Sequence, residues 1–298
     1  MWDPGQYLHF ADERSRPFFD LLGRVRAADP GLVADLGCGP GQLTATLAER
    51  WPDAEVRGID SSAEMIDAAR ELPQATGGPG SDGGPGSDGG PGSGGGPGSD
   101  GGPGSGGGPG SGGGAGSGGR LSFALADVRQ WQPERPADVI VSNAVLQWIP
   151  DHLELLTRWA GMLSAGGWLA FQVPGNFDQP SHVVLRELAG SDRWRPLLAG
   201  VSLNRQASDP ADYLDVLAGA GCDVDAWETT YLHVLQGTSP VLDWYKGTAL
   251  RPVLAVLTPG QAADFLADYG ARMREAYPAA PYGTVLPFRR VFVVARRP

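Results

Sequence analysis

The nine residues from Val33 to Gly41, Val-Ala-Asp-Leu-Gly-Cys-Gly-Pro-Gly, constrain the fold more than any other part of the chain. They extend an apolar run that opens at Leu32, place an acid at its end, and set glycines at 37, 39 and 41 before an amphipathic stretch from Gln42 to Arg50. An acid and glycines between a buried strand and a helix form a ligand-binding corner of an open α/β sheet, because glycine lets the backbone turn tightly with no Cβ in the ligand's way. A pyrophosphate-binding corner would read GxGxxG, which needs glycine at position 42, where Gln42 stands. A P-loop would need GxxxxGK followed by Ser or Thr, and the segment has none. The DxGxGxG spacing instead suits a ligand without phosphate that carries a cationic amino-acid portion, with Asp35 supplying the compensating charge.

From Leu32 to Val173 short apolar runs alternate with amphipathic stretches, the pattern of parallel strands joined by crossover helices. The spacing predicts strands at Leu32–Leu36, Glu55–Ile59, Leu121–Leu125, Val139–Ser142 and Trp168–Val173. It predicts helices at Gln42–Arg50, Ala63–Glu71 and His152–Leu163, the second capped by Ser61 or Ser62 and the third ended by Gly166 and Gly167. The fold class is therefore α/β, with a doubly wound, mostly parallel sheet and helical additions covering the site. A helical lead-in occupies 1–30, a ligand-binding core 31–175, and further additions 176–298. In that last part helices surround a strand at Cys222–Val234, and Val291–Ala295 completes the sheet.

The core is interrupted at 77–119, where the hexads GGPGSD and GGPGSG recur and 26 of the 46 glycines fall. Such a run has no apolar surface to bury and orders at high entropic cost, so it reads as a disordered, solvated linker. The remaining 255 residues are enough for a full core.

Each predicted strand end adds one polar residue. Gly58-Ile-Asp60 stands 19 residues beyond Gly41, the length of one strand–helix–strand unit, and an acid there can accept from both hydroxyls of a ribose. Asp127, after the third strand, can accept from an adenine amino group, and Asn143 ends the fourth beside the reacting centre. Taken singly, Asp35 or Asp60 reads equally well as a helix cap or a surface acid, and Asp127 reads better as a cap than as a ligand; it is the four positions in order that point to a nucleoside ligand. Cys38 has no base beside it to make it a nucleophile.

A formal net charge of −11 disfavours nucleic acid and anionic membranes as partners, since both require a basic face. The two cysteines, Cys38 and Cys222, lack disulfide-framework or zinc spacing, so no metal is expected. No apolar run approaches the roughly 18 residues of a membrane span, and a cytoplasmic location is expected.

Val33 to Gly41 together with Gly58-Ile-Asp-Ser-Ser-Ala-Glu-Met-Ile66 resembles the class I S-adenosylmethionine-dependent methyltransferases. The stretch Trp2-Asp-Pro-Gly-Gln-Tyr-Leu-His-Phe-Ala-Asp-Glu-Arg-Ser-Arg-Pro17 resembles the branch of that family that methylates trans-aconitate. So do Ser142 to His152, Ser181 to Glu187, Asp243-Trp244 with Leu250-Arg-Pro252, and Arg290 to Arg297. The run 77–119 departs from the pattern of that branch.

The resemblance implies S-adenosylmethionine as methyl donor, held by Asp35, Gly37, Gly39, Gly41, Asp60, Asp127 and Asn143, and a small tricarboxylate as acceptor. It also implies Arg14, Arg186, Arg251 and Arg290 as cationic partners of that acid, because arginine's fork fits a carboxylate. Tyr7, His9, His182 and Tyr231 would be further substrate contacts, and Gln147 and Trp148 would position the reactants without acting as a base. Arg186 in an ordinary helical ion pair and His182 merely opening a helix are the competing readings. Another small or carrier-bound carboxylic acid as acceptor, or a protein that binds the adenosyl ligand without turnover, are the competing functions.

Overall fold

The computed structural model describes residues 11–72, 120–203 and 206–298. The linker 77–119, Tyr7 and His9 lie outside the described residues, as does the side chain of Arg14. The elements run α1 (Ala11–Leu22), β1 (Leu32–Leu36), α2 (Gln42–Arg50), β2 (Glu55–Asp60), α3 (Ala63–Arg70), β3 (Leu121–Leu125) and β4 (Ala137–Asn143). A 3-10 turn at Leu146–Trp148 follows, then α4 (His152–Gly161), β5 (Leu163–Pro174), α5 (Pro180–Gly190), α6 (Arg195–Leu198), α7 (Pro210–Gly219) and β6 (Asp223–Leu235). The chain ends with α8 (Pro240–Lys246), α9 (Arg251–Leu254), α10 (Pro259–Ala276), β7 (Ala279–Ala280) and β8 (Gly283–Arg296).

The strands form one sheet in the order β3-β2-β1-β4-β5-β8-β6, with β7 paired to β8. The first five are mutually parallel, and β8 runs antiparallel between β5 and β6. Order reverses at β1 and β4, so the carboxyl ends of these strands open a crevice where such sheets take their ligands.

Alternation along β1 shows how the sheet is held. Leu32, Ala34 and Leu36 enter the cluster closed by Leu156 and Trp159 of α4 and Tyr213 and Leu217 of α7. Val33 faces the opposite cluster, closed by Phe18 and Leu21 of α1 and Leu47 of α2. Both faces are covered, so the strand reads as a continuous apolar run, as a buried parallel strand must. A third cluster, built from α5, α8 and α10 around Trp244, Phe265, Tyr269 and Met273, packs on Leu286 and Phe288 of β8.

Several boundaries differ from the sequence reading. The α4 helix ends at Gly161 rather than at the Gly166–Gly167 pair, which lies inside β5. There Gly166 adopts φ 80° and the pairing with β4 slips between Ala137 and Val139. The last strand begins at Gly283, well before Val291, because Leu286 and Phe288 alternate into the helical cluster.

Candidate active site

A cavity of about 1160 Å³ opens at the carboxyl ends of β1, β2 and β4 and is closed on its far side by α5, α8 and α9. Gly37, Asp60, Asp127 and Arg129 line it from the β1–β3 side of the sheet, Asn176, His182, Lys246, Arg251 and Arg290 from the side of β8 and its helical cluster, and Asn143 of β4 lies between.

The glycine corner is shaped by two different needs. Gly37 has φ 84°, and a Cβ there would lie 2.2 Å from Cγ2 of Val145, so the neighbouring turn packs where a side chain would be. Gly39 has φ 55°, and nothing stands within 4 Å of where its Cβ would be, leaving open space in the corner. Gly41, at φ 81°, is the N-cap of α2. The Gly39 N–H donates to Asp60 Oδ2 at 2.9 Å, and Ser62 N–H donates to Oδ1 at 2.9 Å. Asp60 thus ties the glycine corner to the start of α3 while facing the cavity, and each oxygen keeps a second lone pair for a ligand.

Behind the corner lies Asp35, 2% exposed. Thr44 Oγ1 donates to its Oδ2 at 2.6 Å, while its Oδ1 has no hydrogen-bond partner. Burial drives its pKa up to about 6; the Thr44 bond opposes the rise and the charge of Asp60 adds to it. A buried carboxylate with one unused oxygen next to an open glycine corner fits a ligand that brings positive charge. Burial, then the charges of Asp35 and Asp60, pushes the Cys38 thiol up, so it stays protonated and unreactive.

Asp127 also lines the cavity, but Arg129 grips its carboxylate, with Nη2 2.6 Å from Oδ2 and Nε 3.0 Å from both oxygens. That guanidinium and the Arg129 N–H hold Asp127 below the usual carboxylate range. It is therefore a partly committed acceptor, bonded by the side chain and N–H of Arg129.

Next to the corner, β4, β5 and β8 carry a row of polar side chains, Gln172 and Arg290 buried and Asn143 half-buried. Arg290 Nη1 donates to Gln172 Oε1 at 3.0 Å, and Gln172 Nε2 donates to Asn143 Oδ1 at 2.5 Å. Ala144 then leaves the strand in the left-handed region, φ 58°, a conformation that costs an alanine roughly 1–2 kcal/mol. Gln147 Nε2 donates to Ala144 O at 2.6 Å and helps hold that turn, while Trp148, 53% exposed, stands at the cavity wall. Asn176 is 1% exposed and its Nδ2 donates to Tyr245 Oη at 2.9 Å.

Of the expected acceptor contacts, His182, Arg251 and Arg290 meet at the cavity. Arg186 does not: its Nη1 donates to Phe177 O at 2.9 Å, a bond that fixes the approach to α5. Tyr231 does not line it either; it shares a sheet face with Phe288 and Arg290, but its hydroxyl donates to Asp20 Oδ2 of α1 at 2.7 Å. Sequence reasoning missed Gln172, Asn176 and Lys246. Lys246 alone carried a signal, a cation in the same short helix as Asp243-Trp244, and its Nζ lies 2.8 Å from Asp243 Oδ1.

A family described as a methyltransferase domain matches residues 7–224. The trans-aconitate 2-methyltransferase of Streptomyces avermitilis is 49% identical over 99% of this chain and 97% of its own length. That of Streptomyces coelicolor is 48% identical over all of this chain and 87% of its own. The chain belongs to the trans-aconitate 2-methyltransferase family. Solved structures extend the likeness of fold beyond this family. The YcgJ protein of Bacillus subtilis superposes with a TM-score of 0.52 at 11% identity, over 95% of this chain and 98% of its own. Phosphoethanolamine N-methyltransferase 2 of Haemonchus contortus, in complex with phosphomonomethylethanolamine and S-adenosylhomocysteine, does so with a TM-score of 0.50 at 13% identity, over 95% and 52%. In this trans-aconitate 2-methyltransferase family member, acids stand at the glycine-corner end of the cavity, and Lys246, Arg251 and Arg290 at the other. Among the described residues no group of three or more His, Cys, Asp or Glu is placed to hold a metal, and no helix is long and apolar enough to cross a membrane.

Proposed function

We propose that the protein transfers a methyl group from S-adenosylmethionine to one carboxylate of trans-aconitate, giving the monomethyl ester and S-adenosylhomocysteine. The observation that carries this reading is the division of charge along one cavity: Asp60 at its glycine-corner end, with Asp35 just behind, against Arg290, Arg251 and Lys246 at the other. A cationic donor and a polyanionic acceptor would each find opposite charge, with their reacting groups meeting between.

S-adenosylmethionine, when bound, supplies an electrophilic methyl on a sulfonium. Its cationic amino-acid portion suits the unpartnered Oδ1 of Asp35, and its ribose suits the free lone pairs of Asp60. An acceptor carboxylate is ionised at neutral pH, so its oxygen attacks directly. The O–CH3 bond forms as the C–S bond breaks, and no proton is exchanged. The protein's task is then to bind, orient and exclude water. Gln147 and Trp148 flank the turn where the two halves of the cavity join and contribute placement alone.

The segment between β5 and β8 supplies Asn176, His182, Lys246 and Arg251, which makes it the substrate cap in this reading. The two cysteines, both unpaired and buried, suit a reducing cytoplasmic setting. Incubation with labelled S-adenosylmethionine and a panel of di- and tricarboxylates should show base-labile methyl ester on trans-aconitate at the highest kcat/KM. Label on another acid alone would replace the acceptor, and donor binding without turnover on any acid would remove the activity.

A further inference from the structure

The row Arg290–Gln172–Asn143 has a direction. Arginine has no hydrogen-bond acceptor, so the Gln172 amide that meets its guanidinium at 3.0 Å has to turn its oxygen that way. The Gln172 NH2 then faces β4, where it donates to Asn143 Oδ1 at 2.5 Å. With its oxygen turned toward Gln172, Asn143 turns its NH2 the other way, toward the cavity it lines. Gln172 is 1% and Arg290 5% exposed, so no bulk water competes for either link. The pairing of Asn143 with Gln172 across β4 and β5, and the bond from Ala144 N–H to Gln172 O at 3.0 Å, hold the two amides side by side.

We infer that Arg290, acting through Gln172, fixes the Asn143 amide with its N–H toward the cavity, where it hydrogen-bonds a carboxylate of the bound acceptor. Gln172 is therefore a positioning residue. This rests on the acceptor reading above. An N–H dipole repels a sulfonium and calls for an anion, and the candidates are the acceptor's carboxylates and the donor's own. The acceptor is favoured because the cation that sets the direction, Arg290, stands at the end of the cavity opposite Asp35 and Asp60. An amide turned the other way would aim its oxygen at the carboxylate.

Gln172→Glu tests this, because it keeps size while exchanging the NH2 for an oxygen. The new carboxylate pairs with Arg290 and accepts from Asn143, whose amide turns its oxygen to the cavity. The KM for trans-aconitate should rise at least tenfold, with calorimetric affinity for S-adenosylhomocysteine within twofold. Gln172→Met, which has shape but no direction, should fall between wild type and Gln172→Glu, whereas a merely structural role would rank the two by melting temperature. Asn143→Asp changes only the cavity wall and should raise KM like Gln172→Glu even if the latter folds poorly. A tenfold loss of S-adenosylhomocysteine affinity at unchanged KM would overturn the assignment to the acceptor and give the amide to the donor's carboxylate. No change in either would overturn the relay. Trans-aconitate affinity measured on the S-adenosylhomocysteine-saturated protein reads the same effect without turnover, so an inactive wild type that still binds the acid would count against the reaction and not against the relay.

Discussion

Asp35 shows what one residue of the glycine corner costs the fold. Its carboxyl is driven from 3.8 to about 6 by burial, so keeping it ionised at neutral pH costs about 3 kcal/mol, at roughly 1.4 kcal/mol per pKa unit. Because the folded pKa is the higher one, the native state keeps its proton where the unfolded chain has lost it. Stability therefore falls as pH rises from about 4 to about 6, and the deficit is complete above that range. Asp35→Asn should raise the melting temperature at pH 7.5, and the gain should vanish by pH 4. The same replacement should lower S-adenosylhomocysteine affinity at least tenfold. Wild-type affinity should decline as pH drops through 6, while that of the variant stays flat over the same range. A variant that is stabilised yet binds the donor side normally would detach Asp35 from the ligand.

At the level of elements, the glycine corner separates packing from binding. Gly37→Ala puts a methyl 2.2 Å from Val145 at φ 84°, so the left-handed backbone and the overpacking together should cost roughly 2–4 kcal/mol in urea unfolding. Adding Val145→Ala should recover the packing share and leave the backbone share. Gly39→Ala, with open space around it, should cost only roughly 1–2 kcal/mol yet weaken S-adenosylhomocysteine binding, since its methyl enters the corner. Equal stability losses from the two glycines would refute the distinction. This corner was legible in the sequence because strand, turn and helix are local: the bounds of β1, α2 and β3 fall where the apolar runs placed them. The start of β8 was hidden by Pro287 and by adjacent arginines that serve opposite faces, Arg289 pairing with Asp209 and Glu228 while Arg290 meets Gln172. The acceptor end was only half legible, since Gln172 and Arg290 lie 118 positions apart and Lys246 joins them through the helical cluster alone. Arg186 and Tyr231 carried the right chemistry in the right segments, but the Arg186 guanidinium is committed to Phe177 O and the Tyr231 hydroxyl to Asp20.

Over the whole molecule two fields of opposite sign act on the acceptor. The chain carries a net charge of −11, which repels a trianion at a distance, while Lys246, Arg251 and Arg290 attract it once it has entered the cavity. Salt separates the two by range. The screening length falls from about 30 Å at 0.01 M to about 8 Å at 0.15 M, which removes most of the distant repulsion but little of an attraction acting across a few ångströms in a partly buried site. For the wild type, kcat/KM toward trans-aconitate should therefore rise or hold steady as salt is increased over that interval, the reverse of an enzyme that steers its substrate with surface charge. Lys246→Ala with Arg251→Ala should raise KM about tenfold, leave S-adenosylhomocysteine affinity within twofold, and steepen the dependence on salt, because repulsion then acts with less local attraction against it. Steady-state rates at several salt concentrations decide the point. A kcat/KM that falls steadily with salt in the wild type would mean that the acceptor is drawn in by a long-range basic field, and the division of labour between the outer charge and the cavity wall would have to be abandoned.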